Sequence, residues 1–276
     1  MKKEVSIFWF RRDLRLFDNN ALFNALNGKY PVLPIFIFDP DILDKLSDKK
    51  DKRVEFIHQT LEQLNNSLKQ NGSSIYILHE KVEKAFDKLT EEYSVREVYI
   101  NHDYEPYAIN RDLKIKALLE SKSITFKTFK DQVIFEKSEV MKADGTPYTI
   151  FTPYSRKWKE KFIQQTLLIF PSELHFSSFF KSREFSFPSL NEIGFENSSL
   201  DLPELTITEE RIRNYQETRN LPAVEGTSQV SVHLRFGTVS VRNLVKLAAE
   251  WNEQWLNELI WREFFMMILF HFPNAV

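Results

Sequence analysis

The chain has 276 residues, 42% of them hydrophobic and 14% aromatic, with a formal net charge of −2 and no cysteine. That length allows one large domain or two ordinary ones. The charge gives no global signal for nucleic acid, so any such site must be a local patch, and the missing thiols exclude disulfides, cysteine catalysis and thiolate-bound metal. The 25 Phe against 6 Gly point to a Phe-rich core. No apolar run reaches the roughly 18 residues a membrane span needs. The N-terminal "MKKEVSIFWFRRDLR" breaks its apolar run with Arg11, Arg12 and Asp13, so it reads as a first strand and not a signal peptide. A cytoplasmic location is expected.

Short apolar runs recur at "VSIFWF" (5–10), "PVLPIFIF" (31–38), "SIYIL" (74–78), "EVYIN" (97–101) and "ITFKTF" (124–129). Between them lie helical patterns near 19–28, 51–70, 81–92 and 107–121, where apolar residues such as Phe56, Leu61, Leu64 and Leu68 repeat at helical spacing. Asp18, just before "NNALFNAL", is expected to cap the first helix. Strand and helix alternating in this way predict an α/β unit over 1–130: a five-stranded, doubly wound parallel sheet in the order 3-2-1-4-5 with helices on both faces.

From 131 to 205 the pattern breaks. "KADGTPYTIFTPYSRKW" has turn residues and then a short helix to about 164; the Ser-, Phe- and Pro-rich stretch after it reads as a long linker whose aromatics pack against something. Residues 206–276 look helical. Thr208 and Ser240 are expected caps, and a last helix is expected over 251–271.

Ligands of a doubly wound sheet bind beyond the carboxyl ends of its strands. The first strand ends in Arg11, Arg12 and Arg15, and the fourth in "NHDYEPYAINRD" (101–112). Neither carries a glycine-rich dinucleotide or phosphate-loop motif, and a solvated, ion-paired loop is the plain alternative. In "VEGTSQVS" (224–231) small and hydroxyl residues stand between helices; the turn is able to hold a phosphate or simply to cap a helix. In "WLNELIWREFF" (255–265) Glu258, Trp261, Arg262 and Phe265 fall at helical spacing on one face, with Trp255 a turn earlier. That face is either a buried ion pair beside core tryptophans or the polar and aromatic wall of a cavity.

The segments "FWFRRDLRLFDN", "YEPYAINRD", "DGTPYTIFTPYSRKW", "AVEGTSQVSVHLRFGTVSVR" and "WLNELIWREFF" resemble, in this order, those of the photolyase/cryptochrome family, and most of all a bacterial photolyase acting on cyclobutane pyrimidine dimers. The resemblance implies an antenna domain (1–130), an interdomain linker (131–205) and the N-terminal part of a helical FAD-binding domain (206–276), in a chain truncated at its C-terminus. It implies light-driven repair of DNA by electron transfer from reduced FAD, with a blue-light sensor of the cryptochrome kind as the alternative. By motif, Tyr215, Thr227, Ser228, Gln229, Val230 and Ser231 would lie on FAD, with Trp255 between flavin and substrate. Arg219 would approach the DNA backbone, and Glu258, Trp261 and Arg262 would line the cavity for a flipped-out lesion, Glu258 and Trp261 as its catalytic pair. The family's folate-antenna pattern has Asn-Glu soon after Tyr-Glu, whereas Pro106, Tyr107 and Ala108 follow Tyr104 and Glu105 here. A deazaflavin, a flavin or an empty antenna site is therefore expected in place of folate. A stand-alone nucleotide-binding domain, using 1–130 only, leaves the later motifs unexplained. Damaged DNA is the expected partner, without a membrane, and the chain is expected to be a monomer.

Overall fold

The computed structural model describes residues 2–182, 184–198 and 205–275. Its first part is a sheet of β1 (Glu4–Phe10), β2 (Val32–Phe38), β3 (Tyr76–His79), β4 (Ser94–Asn101) and β5 (Thr125–Phe129), all pairs parallel, in the order β3-β2-β1-β4-β5. The helices between the strands are α1 (Asn20–Leu26), α2 (Pro40–Leu43), α3 (Lys52–Lys69), α4 (Val82–Glu92) and α5 (Pro106–Ser121).

Strand side chains alternate between two faces, and here both faces are dry. Phe8 and Phe10 point into a core with Leu22, Phe36 and Leu61. Ile7 and Trp9 point into a second core with Phe86 and Ile115. This is why β1 and β2 read as unbroken apolar runs rather than as alternating ones.

The cap of α1 differs from expectation. Asn19, not Asp18, holds that position, its side chain accepting from the Leu22 amide at 3.1 Å. Asp18 has φ +41° and is buried in an ionic cluster that joins three parts of the chain. Arg242 Nε donates to its carboxylate at 3.0 Å, Arg242 Nη2 to Asp131 at 2.8 Å, and Arg15 Nη2 to Asp131 at 2.6 Å. Burial alone would raise the Asp131 carboxyl; the charges of Arg15 and Arg242 outweigh it and hold the group below its ordinary range.

The connecting stretch packs as the aromatic count requires. Phe179 and Phe195 enter the first core and Phe180 the second, while Phe185 stacks on Tyr76 with ring centroids 4.5 Å apart. The stretch also holds α6 (Phe151–Ile163). Arg183 and residues 199–204 of the expected linker lie outside the described residues.

The last part is helical: α7 (Glu209–Arg213), α8 (Tyr215–Thr218), α9 (Ser231–Phe236), α10 (Val241–Trp251) and α11 (Glu253–His271). Thr208 and Ser240 cap α7 and α10 as the sequence suggests. The final helix begins two residues later than expected, because Asn252 adopts an extended conformation and caps α11 through the Trp255 amide at 3.1 Å. These helices and α6 share a third core around Trp158, Trp255, Ile260, Phe264 and Met267. Gly237, with φ +67°, ends α9 against the loop after β1, where a β-carbon would collide with the Arg12 carbonyl. That contact sets α9 beside the carboxyl edge of the sheet. No helix among the described residues is long and apolar enough to cross a membrane.

Candidate functional site

A cavity of about 520 Å³ opens between α8, the turn before α9, and α11. Gly226 makes the turn possible: it lies so close to Thr218 that any β-carbon would overlap that side chain. Thr227, Ser228, Gln229, Val230 and Ser231 then follow along the cavity wall. Gln229 takes φ +52°, a conformation costly for a residue with a β-carbon. Trp255 is buried against this turn, its indole N–H donating to Ser228 Oγ at 3.2 Å. Tyr215 closes one side.

Glu258 and Arg262 reach the cavity from α11, and their environments differ. Glu258 accepts from Arg219 and from Gln254 Nε2, the latter at 3.0 Å. The Arg219 guanidinium, which also lies 5.4 Å from the centre of the Tyr215 ring, thus has its charge already partnered. Arg262 donates to two carbonyls, Gln132 O at 2.7 Å and Leu234 O at 3.2 Å. Burial lowers its pKa to about 10 despite the opposing charge of Glu263.

The structure separates Trp261 from Glu258 and Arg262. Its ring stacks on Phe151 with centroids 3.7 Å apart and planes 7° from parallel, and it touches Phe264 and Phe265, while the cavity takes Trp255, Glu258, Leu259, Arg262 and Met266. At ~100° per residue Trp261 falls about 60° behind Glu258 and a full ~100° behind Arg262. The spacing that puts all three on one broad face therefore does not put them on one wall.

Glu263 escaped the sequence reading. It is buried and accepts from the amides of Ile134 and Phe135 at 2.7 and 2.8 Å and from Trp158 Nε1 at 2.5 Å. It ties the connecting stretch to α11, and burial raises its pKa to about 7 against the pull of those donors. An acid among Trp261, Phe264 and Phe265 was the available signal: in so apolar a setting it requires partners. Arg12, Gln132 and Arg235, which also line the cavity, were not singled out for it.

A second cavity, of about 490 Å³, lies at the carboxyl edge of the sheet beside α5. Trp9, Arg11, Phe36, Asp39, Tyr107 and Arg111 are on its wall. Arg11 pairs with Asp112 at 2.6 Å, and the Tyr107 hydroxyl donates to Asp39 at 2.5 Å. Burial and the Asp39 carboxylate raise Tyr107 well above the ordinary phenol range. The loops after β1 and β4 meet at this edge as expected, but Tyr104 turns inward and donates to Glu136 at 2.7 Å.

Residues 6–172 match the family model for DNA photolyase. The chain belongs to that family. It is 32% identical to a deoxyribodipyrimidine photo-lyase of Alkalihalophilus pseudofirmus over 97% of its own length and 60% of the relative's. A bacterial class III photolyase from Agrobacterium tumefaciens has the same fold, with a TM-score of 0.81 at 24% identity, over 99% of this chain and 60% of the other. An archaeal photolyase from Sulfolobus tokodaii, described with two FAD molecules, gives 0.74 at 24% identity over 98% and 60%. The chain thus spans about 60% of the length of these proteins.

Proposed function

We propose that this chain provides the antenna part and one side of the flavin cavity of an enzyme that uses light to reverse cyclobutane pyrimidine dimers in DNA. What carries the reading is convergence: Tyr215, the turn 227–231, Trp255, Glu258 and Arg262 are distant in sequence and meet on one cavity. Their chemistry suits FAD. Hydroxyls of Thr227 and Ser231 and the Arg262 guanidinium offer donors to a dinucleotide's phosphates and polar edges, and Trp255 offers an aromatic wall. Bound reduced FAD would supply the electron that opens the dimer. The chain's own residues would orient and shield: Glu258, held by Arg219, would present a fixed carboxylate to the extruded bases. In this reading residues 1–130 are the antenna domain, 131–205 the linker and 206–276 the start of the flavin domain. The sheet-edge cavity would take a second, planar chromophore other than folate. The protein would act as a cytoplasmic monomer.

Trp261 is the discriminating residue. Its stack on Phe151 serves as a wall for the lesion if the flipped bases reach its open side. In the natural protein carrying this sequence, light-dependent dimer reversal should be measurable, and Trp261→Ala should weaken binding to damaged DNA by roughly tenfold to a hundredfold, as expected for ~1–3 kcal/mol of stacking per base. Binding to undamaged duplex, set by phosphate charge, should change little. Absence of photoreversal would refute repair and favour a light sensor. Equal loss of both affinities, with a large fall in melting temperature, would make Trp261 a core residue only.

A further inference from the structure

Two guanidinium groups, those of Arg12 and Arg235, stand on the walls of both cavities. One comes from the loop after β1 and the other from α9, and a single carboxylate joins them. Arg12 Nη2 donates to Glu105 Oε2 at 2.6 Å, and Arg235 Nη1 to Glu105 Oε1 at 2.6 Å. Asp103 lies 3.6 Å from Arg12. Glu105 lines the sheet-edge cavity but not the helical one, so the helical cavity sees the two guanidiniums with their neutralising carboxylate behind them. Arg262 adds a third, hydrogen-bonded among the described residues to the two carbonyls named above. The carboxylate that faces this cavity, Glu258, is already engaged with Arg219.

We propose that Arg12, Arg235 and Arg262 form a phosphoryl-binding subsite on the wall of the helical cavity, and that Glu105 is its internal competitor. Planar guanidiniums bind phosphoryl oxygens through paired, charge-assisted hydrogen bonds. In the free protein Glu105 engages two of the three. Burial would raise the Glu105 carboxyl, but its bonds to Arg12 and then Arg235 bring it down to about 2, so it competes as an anion at every working pH. Because the same two guanidiniums also border the sheet-edge cavity, a phosphoryl group bound from either side draws on one shared pair. Anionic ligands in the two cavities therefore weaken each other, and reciprocally. The inference rests on the flavin reading only for the identity of the ligand that brings the phosphoryl group.

The probe is inorganic pyrophosphate, titrated calorimetrically at fixed ionic strength. Glu105→Gln should bind it about tenfold more tightly than the wild-type chain, since one hydrogen-bonded competing charge is removed. Arg235→Gln added to that background should abolish the gain. Glu105 accepts no capping hydrogen bond at the start of α5, so glutamine fits there. Should that variant fail to fold, Arg235→Gln alone, at a side chain 52% exposed, must weaken pyrophosphate binding several-fold. No gain in Glu105→Gln, a gain that survives Arg235→Gln, or an Arg235→Gln chain that binds like wild type overturns the subsite. FAD affinity in the same series separates the two readings. FAD binding indifferent to both substitutions removes the subsite and leaves the flavin cavity. A pyrophosphate gain without any FAD binding does the reverse.

Discussion

The two cavities of this protein are closed in different ways. At the sheet edge, the walls come mostly from the strands and the helices between them, and Arg11 with Asp112 and Tyr107 with Asp39 pair within that unit, while Glu105 reaches across to Arg235 of α9. The helical cavity leans on α11, which sends Trp255, Ile260 and Phe264 into the third core, sets Glu258 and Arg262 on the cavity and leaves Phe265 55% exposed. The helical site takes its walls from α9, α11 and the loop after β1, and buried charges tie those parts to the sheet.

That contrast makes Arg242 the point where the largest effect is expected. Arg242→Ala leaves Asp18 and part of Asp131 buried without their partner, which typically costs about 3–5 kcal/mol. If the sheet is self-sufficient, the loss falls on the helices. Hydrogen exchange should then show protection fading in α10 and α11 while the amides of β1 and β4 stay protected. Uniform loss in both parts would mean that the two are one cooperative unit and would break the comparison.

Glu263 gives a smaller effect, visible in its pH dependence. Its folded pKa, about 7, lies above the ordinary 4.5. The folded state therefore binds more protons between these values, and stability falls as pH rises through that window. The shift corresponds to roughly 3 kcal/mol at most, present below about pH 4.5 and lost above about pH 7. Glu263→Gln should lower stability overall, because an amide cannot accept from all three N–H groups, yet its stability should lack this slope. Chemical denaturation across pH 4.5–7 checks it, and parallel slopes in the two proteins would contradict the assignment.

The sequence made the sheet legible because periodicity and strand order answer to burial, which acts on many residues at once. Phe8 and Trp9 could be assigned to opposite faces without knowing a partner. Single contacts were harder to read. Asp18 has the chemistry of a cap, as does Asn19, and only the position of Arg242, far along the chain, decides which of them caps. Trp261 shares a broad helical face with Glu258, but the width of the cavity decides which of the two lines it. Glu105 and Arg235 are 130 positions apart, and no local pattern links them. The members of the helical site were found through the family resemblance; their grouping around one cavity comes from the fold.

The flavin cavity is tested most directly by filling it. Ser231 is exposed at the cavity wall, at the first residue of α9, so Ser231→Trp adds a ring to the cavity without disturbing a core. The measurement is flavin content per chain, by absorbance after purification, in the natural protein and in this variant, with thermal unfolding alongside. The expected result is one FAD in the parent and little or none in a variant that still folds. A folded Ser231→Trp protein that retains its full flavin would contradict the assignment, because the cofactor would then have to lie elsewhere.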